Sequence, residues 1–285
     1  MSKESLNWEQ TIKHIRTDPA YADLVHEAYL GEDTEDSVLR FSDSEEFANT
    51  KELITSSLGK NDTGVPWRVL DLGAGNGIAT IAFATSGFNV TALEPDPSDT
   101  IGAGAIKRMA RKMGLEKFVK VEEAWGEALP FPDGAFDVVY GRQVMHHAHD
   151  LNKFVAEAAR VLREGGIFVT TRDHVVFDAT DKENFLERHP LHKFYGGENA
   201  FSLEEYETAI TSAGLSIEQR LAPGDSAINY APWSRNRVKT LLKRKTGFLH
   251  LVPFMSDAAF GIVKFRLSRL PGCLYSFVAR LPKTK

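Results

Sequence analysis

The sequence is poor in cysteine and has no long apolar run. Cys273 is the single cysteine among 285 residues, so neither a disulfide within the chain nor a cluster of thiolate metal ligands can form. No stretch approaches the roughly 20 apolar residues that span a bilayer. The first ten residues also lack the basic and apolar pattern of a secretory signal. We therefore expect a protein of a reducing compartment, the cytoplasm.

Acidic residues are scarce in the last part of the chain. Residues 233–285 carry twelve Lys or Arg and one acidic residue, Asp257, so this part has a charge of +11 while the remainder has −16. Aromatic and aliphatic residues are interleaved with the basic ones, a composition that suits peripheral contact with an anionic membrane at its inner face. A solvated basic face that balances the acidic remainder explains the pattern equally well, and nucleic acid is the least expected partner.

An apolar strand at residues 69–77 (VLDLGAGNG) runs through Asp71 into a loop rich in glycine. The loop comprises Gly73, Ala74, Gly75 and Gly77. Residues without a Cβ let the chain turn sharply and bring its backbone amides against a ligand as a helix begins, which favours an anionic group. The sequence therefore predicts a ligand site at the end of this strand.

A second strand ends seventeen residues after the loop, in Glu94. A carboxylate at this place is suited to accept both hydroxyls of a ribose. The spacing is Gly-x-Gly-x-Gly, and Ile78 stands where a dinucleotide fingerprint has its third glycine. Asp71 would repel a pyrophosphate but could hold an ammonium group. A nicotinamide-dependent oxidoreductase is therefore disfavoured, and a ligand with an amino-acid head is favoured.

These residues resemble motif I of the class I S-adenosylmethionine-dependent methyltransferases. The resemblance implies that Asp71 and the loop face the methionine end of the cofactor, with Glu94 on the ribose. Residues 127–133 (EALPFPD), followed by the strand 136–140, are similar to a segment of the ubiquinone and menaquinone methyltransferase group. In that group an Asp-Ala pair just before the segment binds adenine, whereas this chain has Trp125 and Gly126 there. We predict that Trp125 packs against adenine and that amides near Gly126 supply hydrogen bonds; the alternative is a buried core aromatic.

Alternating strands and helices predict the α/β class, with a Rossmann-like, seven-stranded, mainly parallel sheet whose last strand is antiparallel. Three helices are expected before residue 65, at 8–15, 20–30 and 44–58, the last with a Ser42 and Glu45 capping box. A helix at 151–162 is expected to end at Gly165 and Gly166. The predicted strands are 68–72, 88–93, 119–123, 136–140, 167–172, 215–221 and 274–280.

The predicted domain organisation has four parts. Residues 1–65 form a helical N-terminal lid, and 66–222 form the cofactor-binding core with a small insertion at 174–200. Residues 223–271 form a basic, aromatic insertion, and 272–285 supply the final strand. The small insertion mixes aromatic and polar groups, which suits an acceptor pocket for a sugar or a small polar ring, or else packs the lid against the sheet.

Chemistry is expected directly after strands four and five, because ligands of open α/β sheets bind at the carboxyl ends of the strands. His147 or His146 is the predicted general base for a hydroxyl acceptor, with His149 and His174 nearby; the alternative is that the pair caps a helix or packs beside the cofactor. Arg142 is expected to border the cofactor or acceptor. No metal site is expected, because adjacent histidines on a helix point about 100° apart.

The resemblance thus implies an S-adenosylmethionine-dependent methyltransferase. We expect it to methylate an oxygen of a small molecule, a glycan or a lipid-linked acceptor. The alternative is a protein that binds the cofactor without catalysis, or an assembly protein on the same fold.

Overall fold

The computed structural model describes residues 6–61, 64–230 and 272–284. The strands are β1 (Arg68–Leu72), β2 (Asn89–Leu93), β3 (Val119–Glu122), β4 (Phe136–Arg142), β5 (Leu162–Val176), β6 (Phe201–Ser202), β7 (Ser216–Leu221) and β8 (Cys273–Arg280). They form a central sheet in the order β3-β2-β1-β4-β5-β8-β7, in which β8 is antiparallel to both of its neighbours. The predicted fold class is confirmed, including the antiparallel last strand.

Helices cover both faces of the sheet. They are α1 (Trp8–Thr17), α2 (Ala22–Glu27), α3 (Thr34–Ser42), α4 (Glu45–Leu58), α5 (Ile78–Thr85), α6 (Ala103–Lys112), α7 (Leu151–Val161), α8 (Ala179–Arg188), α9 (His192–Tyr195), α10 (Leu203–Ser212) and α11 (Ala227–Tyr230). The side chains of successive residues of β1 lie on opposite faces of the sheet. Val69 packs with α5 and α6, whereas Leu70 and Leu72 pack with α7 and α10. A strand that is buried on both faces is mainly apolar, and in β1 the buried exception is Asp71 near its carboxyl end.

The carboxyl ends of the central strands lie at one level. Leu72 of β1 pairs with Leu93 of β2 and with Gly141 of β4. The segments that follow these three strands therefore emerge side by side, and the predicted ligand-binding residues belong to them.

The sheet has one strand more than predicted. The two-residue strand β6 pairs with β5 beyond the insertion. In addition, β5 begins at Leu162, so Gly165 and Gly166 lie within it and do not end the preceding helix. A Cβ on Gly166 would lie 2.8 Å from a backbone oxygen of Arg163, which explains the glycine by close packing of the chain.

The N-terminal region has a helix that the sequence analysis missed, α3. Ser42 is the last residue of α3, and the hydroxyl of Ser44 accepts the amide hydrogen of Phe47 at 3.1 Å. The Ser42 and Glu45 capping box was therefore wrong, although the expected helix at 44–58 is present and ends at Gly59. The single helix expected at 20–30 is a 3-10 turn at Pro19–Tyr21 followed by α2.

The N-terminal helices contact the segments after the central strands, and α3 and α4 also pack against α5. The Thr100 hydroxyl, in the segment after β2, donates to Glu9 of α1 at 2.6 Å. The side-chain amide of Asn76, in the loop after β1, donates to the carbonyl of Tyr29 at 2.7 Å. The ring of Trp8 lies 5.0 Å from that of Tyr195 in α9. The small insertion therefore does pack against the N-terminal helices, one of its two expected roles.

Most of the predicted basic insertion at 223–271 lies outside the described residues, which resume at Gly272. Its described part contains α11, which packs against α4 and β8. Across residues 6–61, 64–230 and 272–284, none of the helices has both the length and the apolar character needed to cross a bilayer.

Candidate functional site

The glycine loop after β1 is held in a conformation that needs glycine. Gly73, Gly75 and Gly77 have φ angles of +64°, +55° and +82°, a region that residues with a Cβ rarely adopt. The amide of Ala74 donates to the carbonyl of Leu93 at 3.1 Å, which ties the loop to the end of β2. Helix α5 starts directly after Gly77, so the loop has the geometry of an anion-binding helix entry.

Glu94 closes the loop from the side of β2. Its Oε2 accepts the amide hydrogen of Gly75 at 2.7 Å, and its Oε1 accepts that of Asp96 at 3.0 Å. The side chain is buried, and burial raises its pKa to about 7 despite these hydrogen bonds. The predicted ribose carboxylate and the predicted methionine loop are thus in direct contact.

Asp71 lies beneath the loop and is almost completely buried. The hydroxyl of Thr80 in α5 donates to its Oδ2 at 2.6 Å. Burial raises the pKa of Asp71 to about 7, and the neighbouring Glu94 adds to the effect. Two carboxyl groups with raised pKa values at one place favour a cationic group next to them.

Trp125 follows β3 at the same edge, and its side chain is 61% exposed. The expectation of a core aromatic is therefore wrong, and the ring remains open to a ligand. A Cβ on Gly126 would lie 2.2 Å from Cε2 of Phe154, so the chain passes too close to α7 for a side chain. The strand before Trp125 adjoins β2, since the amide of Glu94 donates to the carbonyl of Glu122 at 3.0 Å.

Arg142, at the end of β4, is directed at the N-terminal helices. Its Nε and Nη2 donate to the two carboxylate oxygens of Glu46 in α4 at 2.6 and 3.1 Å, and its Nη1 donates to Gln143 at 2.9 Å. Nε of Arg172 lies 3.8 Å from the same carboxylate. Burial opposes the charge on Glu46, but Arg142 and Arg172 outweigh it and lower its pKa. In the structure Arg142 thus fastens α4 to the sheet, a role that the sequence analysis did not foresee.

Two residues beside this ion pair have unusual backbone conformations. Gln143 and Arg172 have φ angles of +53° and +64°, and the amide of Gln143 donates to the carbonyl of Thr171 at 2.8 Å. Left-handed conformations of residues other than glycine cost about 1 to 3 kcal/mol each and concentrate at functional sites. Gln143 directly follows β4, and Arg172 lies within β5 where the register with β8 shifts, two residues before His174.

A histidine cluster, formed by His146, His147, His174 and His189 around Glu198, occupies the space after β4 and β5. His146 is 2% exposed; its Nδ1 lies 3.1 Å from Oδ1 of Asp173, and its Nε2 lies 3.5 Å from Oε2 of Glu198. Burial opposes the imidazolium, but Asp173 and Glu198 outweigh it and raise the pKa of His146 to about 9. The charge of His146 compensates the buried carboxylates.

His147 is more accessible, with 35% of its side chain exposed. Its Nδ1 lies 3.3 Å from both the carbonyl of Gly197 and the hydroxyl of Tyr195, while its Nε2 lies 3.8 Å from Oε2 of Glu198. Burial and the positive His146 lower its pKa to about 4.

His174 and His149, the other two histidines near the predicted strand ends, have different surroundings. Nδ1 of His174 donates to the carbonyl of Gly272 at 2.9 Å, and burial and His146 lower the pKa of His174 to about 3. His149 is exposed and lies outside the cluster; its ring centroid is 5.8 Å from that of Trp125.

The histidine cluster and the glycine loop meet at Val144. A Cβ on Gly73 would lie 2.4 Å from Cγ2 of Val144, which stands two residues before His146. The end of the site predicted for methionine is therefore adjacent to the histidines. Two carboxylates that complete the site, Asp173 and Glu198, were not assigned roles from the sequence. Asp173 could have been found, since it directly follows the predicted strand 167–172.

Comparison with known proteins identifies the same region. Residues 70–170 match the model of a methyltransferase domain. The chain is 31% identical to the uncharacterized methyltransferase YcgJ of Bacillus subtilis over 65% of this chain and 70% of that one. It is 33% identical to 27-O-demethylrifamycin SV methyltransferase of Amycolatopsis mediterranei over 53% and 54%, so it spans about half of that relative.

Among solved structures, the fold resembles geranyl diphosphate C-methyltransferase of Streptomyces coelicolor. That structure contains Mg²⁺, geranyl diphosphate and S-adenosyl-L-homocysteine. The TM-score is 0.58 at 17% identity, with 94% of this chain and 87% of that one covered. At this identity the likeness concerns the fold alone.

Proposed function

This chain belongs to the class I S-adenosylmethionine-dependent methyltransferases, and we propose that it transfers the methyl group to an oxygen of a small-molecule, glycan or lipid-linked acceptor. The proposal rests on one observation: a cluster of imidazoles and carboxylates lies directly beside the loop predicted to hold the methionine end of the cofactor, joined to it through the contact of Gly73 with Val144.

The chemistry of methyl transfer explains why such a cluster is useful. The leaving group is a neutral thioether, so the protein mainly has to align the acceptor atom, the methyl carbon and the sulfur. An acceptor hydroxyl must also lose its proton, and an imidazole within hydrogen-bond reach can accept it. The polar groups around Glu198 suit an acceptor with hydroxyls better than an apolar one.

His147 and His146 remain the proposed proton acceptors, and their geometry favours His147. Both ring nitrogens of His146 face carboxylates, and the residue is 2% exposed, whereas His147 is 35% exposed. An acceptor could therefore reach His147 but not His146. We expect His147→Ala to lower kcat about 100-fold or more with little change in the affinity for S-adenosylmethionine.

The cofactor-binding residues are proposed as the resemblance implies. Gly73, Ala74, Gly75 and Gly77 would hold the methionine end together with Asp71, and Glu94 would hold the ribose. At the adenine end the chain departs from the family pattern, and there we propose that Trp125 and the amides near Gly126 hold adenine. Arg142 is proposed to act at this site indirectly, by holding α4 next to it.

The proposal is tested by turnover with methyl-labelled S-adenosylmethionine and a panel of phenols, quinols, sugars and nucleotide sugars. Glu94→Gln should weaken cofactor binding, and Glu123→Gln, which removes an exposed carboxylate just beyond β3, should leave it unchanged. Labelled product from a hydroxyl acceptor supports the proposal. Tight cofactor binding without transfer to any acceptor class would instead support the non-catalytic alternative.

A lipid-linked acceptor and contact with an anionic membrane from the cytoplasmic side stay part of the proposal because of the basic composition of residues 233–285. Sedimentation with anionic vesicles at low and at high salt tests this part separately. Absence of binding at low salt would remove the membrane contact and leave the methyl transfer untouched.

A further inference from the structure

We propose that His146, His147 and Glu198 form a binding site for one divalent transition-metal ion, next to the methionine end of the cofactor site. The proposal goes beyond methyl transfer, because metal binding by these residues does not depend on which acceptor is methylated or on whether the chain is catalytic.

The distances between the candidate ligand atoms are those of a metal site. Nε2 of His146 and Nε2 of His147 lie 3.5 and 3.8 Å from Oε2 of Glu198, and all three atoms lie within 4.8 Å of one another. Tetrahedral coordination with metal to ligand distances of about 2.0 to 2.2 Å places neighbouring ligand atoms about 3.3 to 3.6 Å apart. These separations are too long for good hydrogen bonds, but an ion between the three atoms fits after shifts of a few tenths of an ångström.

The outer contacts orient both imidazoles towards the same point. Nδ1 of His146 faces Asp173 at 3.1 Å, and Nδ1 of His147 faces the carbonyl of Gly197 at 3.3 Å. Histidines that bind metals commonly donate their other ring hydrogen to a carboxylate or a carbonyl in this way, which fixes the tautomer and the ring direction. Each histidine thereby presents its Nε2 to Glu198.

The carboxylate itself provides the independent observation that an ion is needed. Glu198 is 6% exposed, and its Oε2 has no hydrogen-bond partner among the described residues. Its Oε1 accepts from the hydroxyl of Tyr195 at 3.4 Å. A buried carboxylate oxygen without a hydrogen-bond donor is costly. The imidazolium of His146, 3.5 Å away, offsets part of this cost, and an ion that replaces its proton between Oε2 and the two imidazoles would contact the oxygen directly.

The donor set indicates the kind of ion. Two imidazole nitrogens and one carboxylate oxygen suit zinc, iron or another first-row transition metal, whereas magnesium prefers oxygen ligands alone. Three protein ligands leave a position open. Nδ1 of His189 lies 3.8 Å from Oε1 of Glu198 and also has no hydrogen-bond partner in the described part of the chain, so it borders this open position.

The sequence analysis expected no metal here, because adjacent histidines leave a helix in different directions. The two residues lie in a 3-10 turn, Met145–His147, and their ring centroids are nevertheless 4.2 Å apart. The direction of each Cβ alone does not decide whether two imidazoles can share an ion. The two rotatable bonds of an imidazole side chain allow both rings to reach one point.

The test is metal binding by the purified full chain after treatment with a chelator and dialysis. Calorimetric titration with Zn²⁺ should give one ion per chain at this site, and Co²⁺ should give the intense visible absorption of tetrahedral coordination. Asp173→Asn should weaken the affinity about 10- to 100-fold, and Glu198→Gln and His147→Gln should weaken it more. His149→Ala, in the same segment but outside the cluster, serves as the matched control and should bind as the parent chain does.

His147→Gln keeps the test valid if Glu198→Gln fails to fold, because His147 is partly exposed. The proposal is overturned if the chelated chain takes up neither ion, or if His147→Gln binds both as tightly as the His149→Ala control. Turnover is measured separately. Metal binding without methyl transfer would contradict the proposed function but not the metal site. Turnover that survives complete chelation would assign the histidines to proton transfer.

Discussion

Gly73 and Val144 are in such close contact that a Cβ on the glycine would lie 2.4 Å from Cγ2 of the valine. The contact joins the glycine loop after β1 to the segment after β4, and so joins the place proposed for the cofactor to the place proposed for the acceptor. Glycine is therefore needed at position 73 for two independent reasons: its φ angle is +64°, and there is no room for a Cβ.

We expect Gly73→Ala to destabilise the fold by about 2 kcal/mol or more, since strain in φ and overpacking both contribute. Gly75→Ala is the matched control. Gly75 has a φ of +55°, but a Cβ there would meet nothing within 4 Å, so only the φ strain of about 1 kcal/mol applies. Chemical denaturation measures both changes. Equal destabilisation by the two substitutions would contradict the contact with Val144.

The ion pair of Glu46 with Arg142 should be important for stability. Glu46→Gln leaves two buried guanidinium groups, those of Arg142 and Arg172, without their carboxylate, which should cost about 3 kcal/mol or more. The exposed pair of Lys107 with Glu123 is the control, because Glu123→Gln should cost no more than about 0.5 kcal/mol. The comparison is made by urea denaturation at a fixed pH. If the free energies of unfolding of the two variants differ by less than about 1 kcal/mol, the buried pair is dispensable.

Cofactor binding should weaken as the pH falls through about 7. Asp71 and Glu94 have pKa values raised to about 7. The ammonium group of the ligand favours the ionised form of Asp71, and hydrogen bonds from the ribose hydroxyls favour that of Glu94. Above this pH both carboxylates are already charged; below it each must release a proton on binding, which lowers the affinity by up to about tenfold per pH unit for each group.

Calorimetry of S-adenosylhomocysteine across this pH range checks the effect. Adenosine, which has no ammonium group, is the matched ligand and should depend on pH only through Glu94. Affinities of the two ligands that change in parallel would show that Asp71 does not respond to the ammonium group.

Trp125 should contribute to cofactor affinity and not to stability. Because its ring is 61% exposed, Trp125→Ala should leave the melting temperature nearly unchanged while raising the Kd of S-adenosylhomocysteine about tenfold, the loss expected for one aromatic stacking contact. Phe118→Ala removes another exposed ring, from the opposite end of β3, and should change neither quantity. An unchanged Kd for Trp125→Ala would remove this residue from the adenine site.

The parts of the site that the sequence predicted depend on local spacing. Asp71, the loop and Glu94 follow from two strand ends whose separation along the chain fixes their position in a parallel sheet. Glu46 lies 96 residues from its partner Arg142, and Glu198 approaches His146 only because α8 and α9 fold back over the sheet. Contacts of this kind depend on how separate segments pack, and no pattern in either segment indicates them.

Side-chain direction was a second limit of the sequence. Arg142 was placed correctly at the end of β4, but its position there is compatible with facing either a ligand or the N-terminal helices. The buried carboxylate of Glu46 decides between the two, and the spacing of residues within β4 carries no information about it.

The hydrogen bonds of Thr100 with Glu9 and of Asn76 with Tyr29 couple the first helices of the chain to the segments that follow β2 and β1. A nucleoside that orders those segments would therefore also order α1 and α2, although neither helix is predicted to touch it. Slower hydrogen exchange in these two helices would then report occupancy of a site that they do not line.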